Sequence, residues 1–258
     1  MSTAKILVVM EGKQPEGNIF SRLQRSFPEE LADFKENLVK TVFTSNIYEL
    51  YETLCEKGVD WDVVEALKKH NKNNSEIQNL KRAEFSQTFL FFDLDAHCRK
   101  DLATDLIKVN DLIHYFTDET EMGKMYISYP MVESTNVCDY DFGLMGDAQR
   151  LFAIDDCKND GYKKFANNLN ALYSEKMCRA NNRDNWLWIC SANYKKARWI
   201  IKGNAVGWED DLIQMDQKSI FKGELRFIQE NKSVAALSAF PFFLKEYIGS
   251  EKTKRLFM

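Results

Sequence analysis

The chain has 258 residues, 45% hydrophobic, 13% aromatic and 29% charged, with a formal net charge of -4. That composition excludes a disordered chain, and the length admits one large domain or one domain with an appendage. The mildly acidic balance gives no whole-molecule signal for nucleic acid or membrane, and no apolar run reaches bilayer-spanning length. The N-terminal apolar stretch also lacks the shape of a signal peptide. Six cysteines, at positions 55, 98, 138, 157, 178 and 190, form no C-x-x-C pair and no zinc spacing. They are expected as reduced thiols of a cytoplasmic protein. With only His70, His97 and His114 available, any metal site must rest mainly on carboxylates.

Lys5 to Met10 is a short β-branched run, expected as a first strand buried on both faces. It ends at Glu11-Gly12, and Ile19 to Phe27 then shows helical spacing. Glu16 falls near that helix start, where a carboxylate is favourable for ordinary reasons. Val39 to Phe43 is a second expected strand. Asn46 is placed to cap a helix carrying Ile47, Leu50 and Leu54, and Trp61 to His70 continues as helix. The polar stretch Asn71 to Gln87 reads as a surface excursion. Thr88 to Phe92 is then the most apolar strand of the chain, ending on Asp93-Leu94-Asp95. Asp101 to Phe116 has the spacing of an amphipathic helix, and Lys124 to Tyr129 is a further strand ended by Pro130, with Glu133 just beyond. The alternation of short apolar strands with helices predicts an α/β fold, a mainly parallel sheet with helices on both faces.

From about Cys138 the strand pattern stops. Asp160 to Lys176, Trp186 to Lys202, Glu209 to Gln229 and Val234 to Ile248 read as helical, the last interrupted by Pro241. The division expected is an α/β part over 1–150 and a helical part over 151–258 packed on it. Lys158 to Lys202 carries ten basic residues against three acidic ones, a local charge of +7 that leaves -11 elsewhere. Aromatic rings are interleaved, as single-stranded nucleic acid would need. Core packing is the expected role of each tryptophan there, and the lysines as a group are expected to hold a polyanion.

Asp93 and Asp95, at i and i+2, leave the strand together at its carboxyl end, where open α/β sheets place ligands. Two such carboxylates suit a hard cation such as Mg2+ or Mn2+; read alone, the pair fits a turn and a helix cap equally well. Glu11 and Glu133 stand at the ends of two other expected strands. Such a cluster can hold metal that polarises a phosphodiester and stabilises the leaving oxygen. Lys13 and Lys124 are candidates to contact phosphate, joined by Lys195 and Lys196 from the basic segment. His97 is close enough in sequence to Asp95 to carry a proton, although a solvent-facing position at a helix start is the plainer expectation.

The order Glu11-Gly12-x-x-x-Glu16, Phe92-Asp93-Leu94-Asp95, Pro130-Met131-Val132-Glu133 resembles the Toprim-type centre of the RloB-like proteins. Their opening is E-G-x-x-T-E, with threonine where this chain has Pro15, and their third segment is P-x-F-E. Leu237 to Pro241 looks like a family ending. The resemblance covers about the first half of the chain. It implies a metal-dependent nuclease cutting DNA or RNA (tRNA included), akin to the AriB-type effectors of bacterial anti-phage systems, which often work beside an ATPase. By that resemblance Glu11 would position metal or shuttle a proton, Asp93 and Asp95 would bind metal, and Glu133 would complete the shell. Homodimerisation is left open. Two other readings fit the same residues. One is a phosphohydrolase of the haloacid dehalogenase type, with Asp93 as nucleophile and Asp155-Asp156 as a late metal motif, although that family follows its second aspartate with a pair such as Gly-Thr rather than Ala96-His97. The other is a non-catalytic Toprim-like module docking on a partner ATPase.

Overall fold

The computed structural model describes residues 4–98, 101–137, 151–173 and 182–257. Its centre is a five-stranded sheet in the order β2-β1-β3-β5-β4, built from β1 (Lys5–Met10), β2 (Leu38–Val42), β3 (Phe85–Asp93), β4 (Thr117–Asp118) and β5 (Gly123–Ser128). The first three strands and β5 run parallel, and the two-residue β4 pairs antiparallel at the edge. The α/β, mainly parallel reading is therefore correct, and β3 lies between β1 and β5, away from solvent. It starts three residues before the expected Thr88, because Phe85 also finds a buried place.

The helices of the first half follow from right-handed crossovers. Chain leaving β1 passes through α1 (Pro15–Ser26) and α2 (Ala32–Asn37) to β2, on one side of β1. It returns through α3 (Ile47–Cys55), α4 (Val63–His70) and α5 (Ser75–Gln78) to β3, on the other side, and α6 (Leu102–Tyr115) then leads toward β5. Reversing direction about β1 puts α1 and α2 on one face and the later helices on the opposite face. Asn46 caps α3 by accepting from Tyr48 and Glu49 N–H, as its position predicted.

Alternation along β3 divides its rings between the faces. Phe89 and Phe91 meet Phe243, and Phe91 also packs on Phe20 and Phe240. On the other side Phe92 packs against Phe43. Phe240 and Phe243 belong to α10 (Phe240–Ile248), so the C-terminal helices complete the sheet's own core. Between them lie α7 (Gly161–Tyr173), α8 (Arg183–Lys202) and α9 (Gln217–Asn231), and α11 (Ser250–Arg255) closes the order.

Three details of the second half differ from the sequence reading. Strands do not stop at Cys138: β6 (Leu151–Ala153) and β7 (Ser233–Ala235) form a small antiparallel sheet, too short for a periodicity to show. Pro241 does not interrupt a helix but sits in the first turn of α10, where its missing N–H costs nothing. The stretch 208–214 is a 3₁₀ turn rather than the start of α9. The open edge of β5 beyond β4 is also satisfied from this half. Ile127 N–H donates to Gln217 Oε1 (3.1 Å), and Tyr129 exchanges two backbone hydrogen bonds with Leu237. No helix among the described residues is long and apolar enough to cross a membrane.

Candidate functional site

Because the crossovers leave β1 in one direction and return past it to β3, the gap between these neighbours is the topological switch point of the sheet. Open α/β sheets bind ligands in that crevice, at the strands' carboxyl ends. Glu11 follows the last residue of β1, and Asp93 is the last residue of β3. The two are joined across the crevice: Glu11 N–H donates to Phe91 O (3.0 Å), and Asp93 N–H donates to Glu11 Oε2 (3.0 Å). Asp95, with φ of +45°, takes a left-handed backbone conformation of the kind that collects at functional sites. The turn around it is pinned. Tyr48 Oη donates to Leu94 O (2.5 Å), Leu94 N–H to Ser128 O (3.0 Å) and Asp95 N–H to Pro130 O (3.1 Å).

Five carboxylates gather there. Burial, then the charges of Asp95 and Glu16, push Glu11 up to about 8, against the pull of the Asp93 N–H and Lys163. Asp93 is driven well above the usual carboxylate range by burial and by Glu11, Asp95 and Glu16, while a hydrogen bond from Val132 N–H pulls it down. Burial also raises Asp95, which His97 and Lys163 pull back. Glu16 is raised by burial and by the charges of Glu133 and Asp95, although its own backbone N–H and that of Gly12 pull it down. Burial is the larger cause in each, and for Glu11, Asp93 and Glu16 the neighbouring carboxylates add to it.

Glu16 is buried, and its Oε1 accepts from Gly12 N–H (3.2 Å). A side chain at Gly12 would begin 3.2 Å from Glu16 Oε2, so the glycine lets this carboxylate fold back under the strand end. Glu133 stands in the 3₁₀ turn Val132–Asn136. Ser134 of that turn donates to Tyr129 O (2.5 Å) and bonds Tyr162 Oη (2.9 Å) on α7. Behind it, Thr135 bonds Ser238 Oγ (2.8 Å), and Ser238 N–H donates to Asn193 Oδ1 (2.8 Å). The Leu237 to Pro241 segment therefore buttresses the Glu133 turn.

The donor set suits a hard cation, and two of its buried oxygens, Glu16 Oε2 and Glu133 Oε2, have no hydrogen-bond partner among the described residues. Among those same residues, no group of three His, Cys, Asp or Glu side chains is arranged to hold a metal ion as it stands. The carboxylates are assembled; their oxygens are not converged on one point.

The cations fall out differently from the sequence reading. Lys13 is exposed close to the strand end. Lys124 is corrected: it pairs with Phe89 at the amino end of β5, whereas Ser128 pairs with Asp93, so it lies at the far end of the sheet. There it forms an ion pair with Glu246 (2.9 Å). Lys196 is corrected as well. It is buried on α8, its ammonium donating to Val137 O and to Ala236 O (3.0 Å). Lys195 is half-buried beside it. Several cations of the basic segment, expected as a group to hold a polyanion, are already paired: Lys158 with Asp155, Arg183 with Glu30, and Arg198 and Lys202 both with Asp211. Lys176 and Arg179 lie outside the described residues. Trp186 and Trp199 are core, as expected of the tryptophans.

Among the described residues, Lys163, exposed on α7, is the lysine whose charge is felt by both Glu11 and Asp95. Sequence reasoning counted it only as part of a charge run; Tyr162 beside it, anchored on Ser134, is what brings it to the site. His97 is partly buried rather than solvent-facing, its Nδ1 3.9 Å from Asp95 Oδ1. Asp155 and Asp156 follow β6, outside the main sheet, and Asp155 is 84% exposed. Compared with models of protein families, with curated proteins and with solved structures, the chain matches none.

The environment of Lys196 gives a direct expectation. Lys196→Ala strands two buried carbonyls at about 1–3 kcal/mol each, so it should lower unfolding stability by about 2–6 kcal/mol. Lys195→Ala should change it by less than about 0.5 kcal/mol. Denaturant titration of the two variants tests this contrast.

Proposed function

We propose that this chain is a divalent-cation-dependent nuclease of the Toprim-like kind, cleaving phosphodiester bonds in nucleic acid. The observation that carries the reading is the Glu11–Asp93 link across the switch point, with Asp95, Glu16 and Glu133 gathered round it. Five carboxylates in one crevice cost stability unless a cation offsets them, which supports metal as the missing partner.

Mg2+ or Mn2+, when bound, supplies Lewis-acid polarisation of a phosphoryl oxygen. Asp93, Asp95, Glu16 and Glu133 are the groups that would hold it. Glu11, fixed at Oε2 by the Asp93 N–H, keeps its register with the cluster and is the group to accept a proton from the attacking water. Lys163 meets the incoming phosphate, and Lys13 lies on the approach. His97, beside Asp95, is placed to hand a proton onward. A role as effector of an anti-phage system, working with an ATPase, is part of the proposal through the resemblance alone.

A second reading, a non-catalytic Toprim-like module, is favoured by one observation: no three ligands converge as they stand. One assay separates the two. The purified chain, incubated with Mn2+ or Mg2+ and a panel of single-stranded and duplex DNA and RNA, should cut at least one substrate, and EDTA should abolish the cutting. No cleavage of any substrate, with no cation-dependent rise in melting temperature, would leave the docking module as the reading.

A further inference from the structure

Beside the carboxylate cluster lies a recess of about 260 Å³, walled by the first turns of α1, the Glu133 turn and α7. Its chemistry is the reverse of the cluster's. Arg22 makes no hydrogen bond or ion pair with another described residue, and the carboxamides of Asn18, Asn136 and Asn167 are likewise uncommitted among them. Ile19 and Val132 supply apolar wall, and Glu133 is the side chain shared with the cluster.

We propose that this recess holds the nucleotide next to the scissile bond, with its base turned out of the stack. The inference rests on the nuclease reading and adds to it the substrate class, single-stranded or looped nucleic acid. A guanidinium is suited to grip a phosphate through two donors. Carboxamides offer a donor and an acceptor side by side, the pattern that pairs with base edges. The apolar walls cover the faces of the base. The recess has room for a single base, and a base that is paired in a duplex would have to leave its stack to enter it. Arg22 also answers an electrostatic difficulty, since the acidic cluster repels the phosphates flanking the one being cut.

The test uses the full chain and short labelled DNA and RNA oligonucleotides, intact or with one abasic position. Binding is read by fluorescence anisotropy in Ca2+, and cutting in Mg2+ or Mn2+. Arg22→Gln should weaken binding of every single strand about tenfold, and Arg22→Lys, which keeps the charge but not the fork, by less. Asn136→Ala combined with Asn167→Ala should flatten discrimination among the four bases while leaving the abasic strand's affinity unchanged. Wild-type binding and cutting with base preference and affinity unmoved by these variants would overturn the subsite and leave the nuclease reading standing. Equal affinity for a blunt duplex and a single strand would overturn the turned-out base. A wild type that neither binds nor cuts any nucleic acid would remove both.

Discussion

Glu11→Gln should lower the cleavage rate by about two to four orders of magnitude and should not lower the melting temperature. The two halves of this expectation come from the same hydrogen bond. Glu11 Oε2 accepts from Asp93 N–H, and a glutamine carbonyl can accept in its place, so the β1–β3 crevice keeps its geometry. What the substitution removes is a carboxyl whose ionised form is disfavoured by burial first and then by the charges of Asp95 and Glu16. Without metal, the variant should therefore be as stable as the wild type or more so. A merely structural glutamate would behave in the opposite way, losing stability and leaving any activity in proportion to folded protein. Melting curves with and without Mn2+, set beside initial rates, distinguish the two, and a stable variant with wild-type turnover would sink the assignment of Glu11.

The same pairing of parts shows what was legible in the sequence. The parallel strands were, because β1 and β3 are short, almost wholly apolar runs of the kind that strands buried on both faces require, and helical patterns alternate with them. Once they are placed, the rule that ligands gather at carboxyl ends singles out Glu11, Asp93 and Asp95 without any geometry. It also contained the correction to Lys124, which starts its strand and so belongs at the other end. Helical spacing likewise held a warning about Lys196, seven residues beyond Ile189 on the buried stripe of α8 that also carries Trp186 and Ile200. Counting lysines as charge ignored which face each occupies.

Other features had no local signature. Glu16 in a first helical turn is indistinguishable from a favourable end charge until Gly12 is seen to make room for it. Lys163 is held near the cluster by α7, which Tyr162 ties to Ser134, a contact between segments read as separate parts. The β6–β7 pair and the Tyr129–Leu237 bridge join residues about a hundred positions apart, in runs of three residues or fewer, where no period exists to detect.

Glu224 offers the clearest pH-dependent expectation, because it lies outside the carboxylate cluster. It sits on α9, fully buried, with Oε2 accepting from Ala235 N–H (3.0 Å) and Oε1 without a hydrogen-bond partner among the described residues. Burial pushes it up to about 8 from an ordinary 4.5, against the pull of the Ala235 N–H. Tyr129 is the titratable group facing it, itself driven up by burial and then by the Glu224 charge. A carboxyl whose folded value exceeds its unfolded one binds its proton more tightly in the native state. Its contribution to stability is therefore complete below about pH 4.5 and is lost as pH rises through about 8. A shift of this size corresponds to several kcal/mol, at about 1.4 kcal/mol per pH unit. Glu224→Gln keeps an acceptor for Ala235 N–H and cannot ionise. It should match the wild type near pH 5 and exceed it at pH 9 by roughly 5–15 °C in melting temperature, given about 2–4 °C per kcal/mol for a chain of this size. The difference between the two melting curves isolates this residue, since the acids of the cluster titrate in both proteins. A difference that stays flat from pH 5 to pH 9 would mean that Glu224 finds its counter-charge in the folded chain after all.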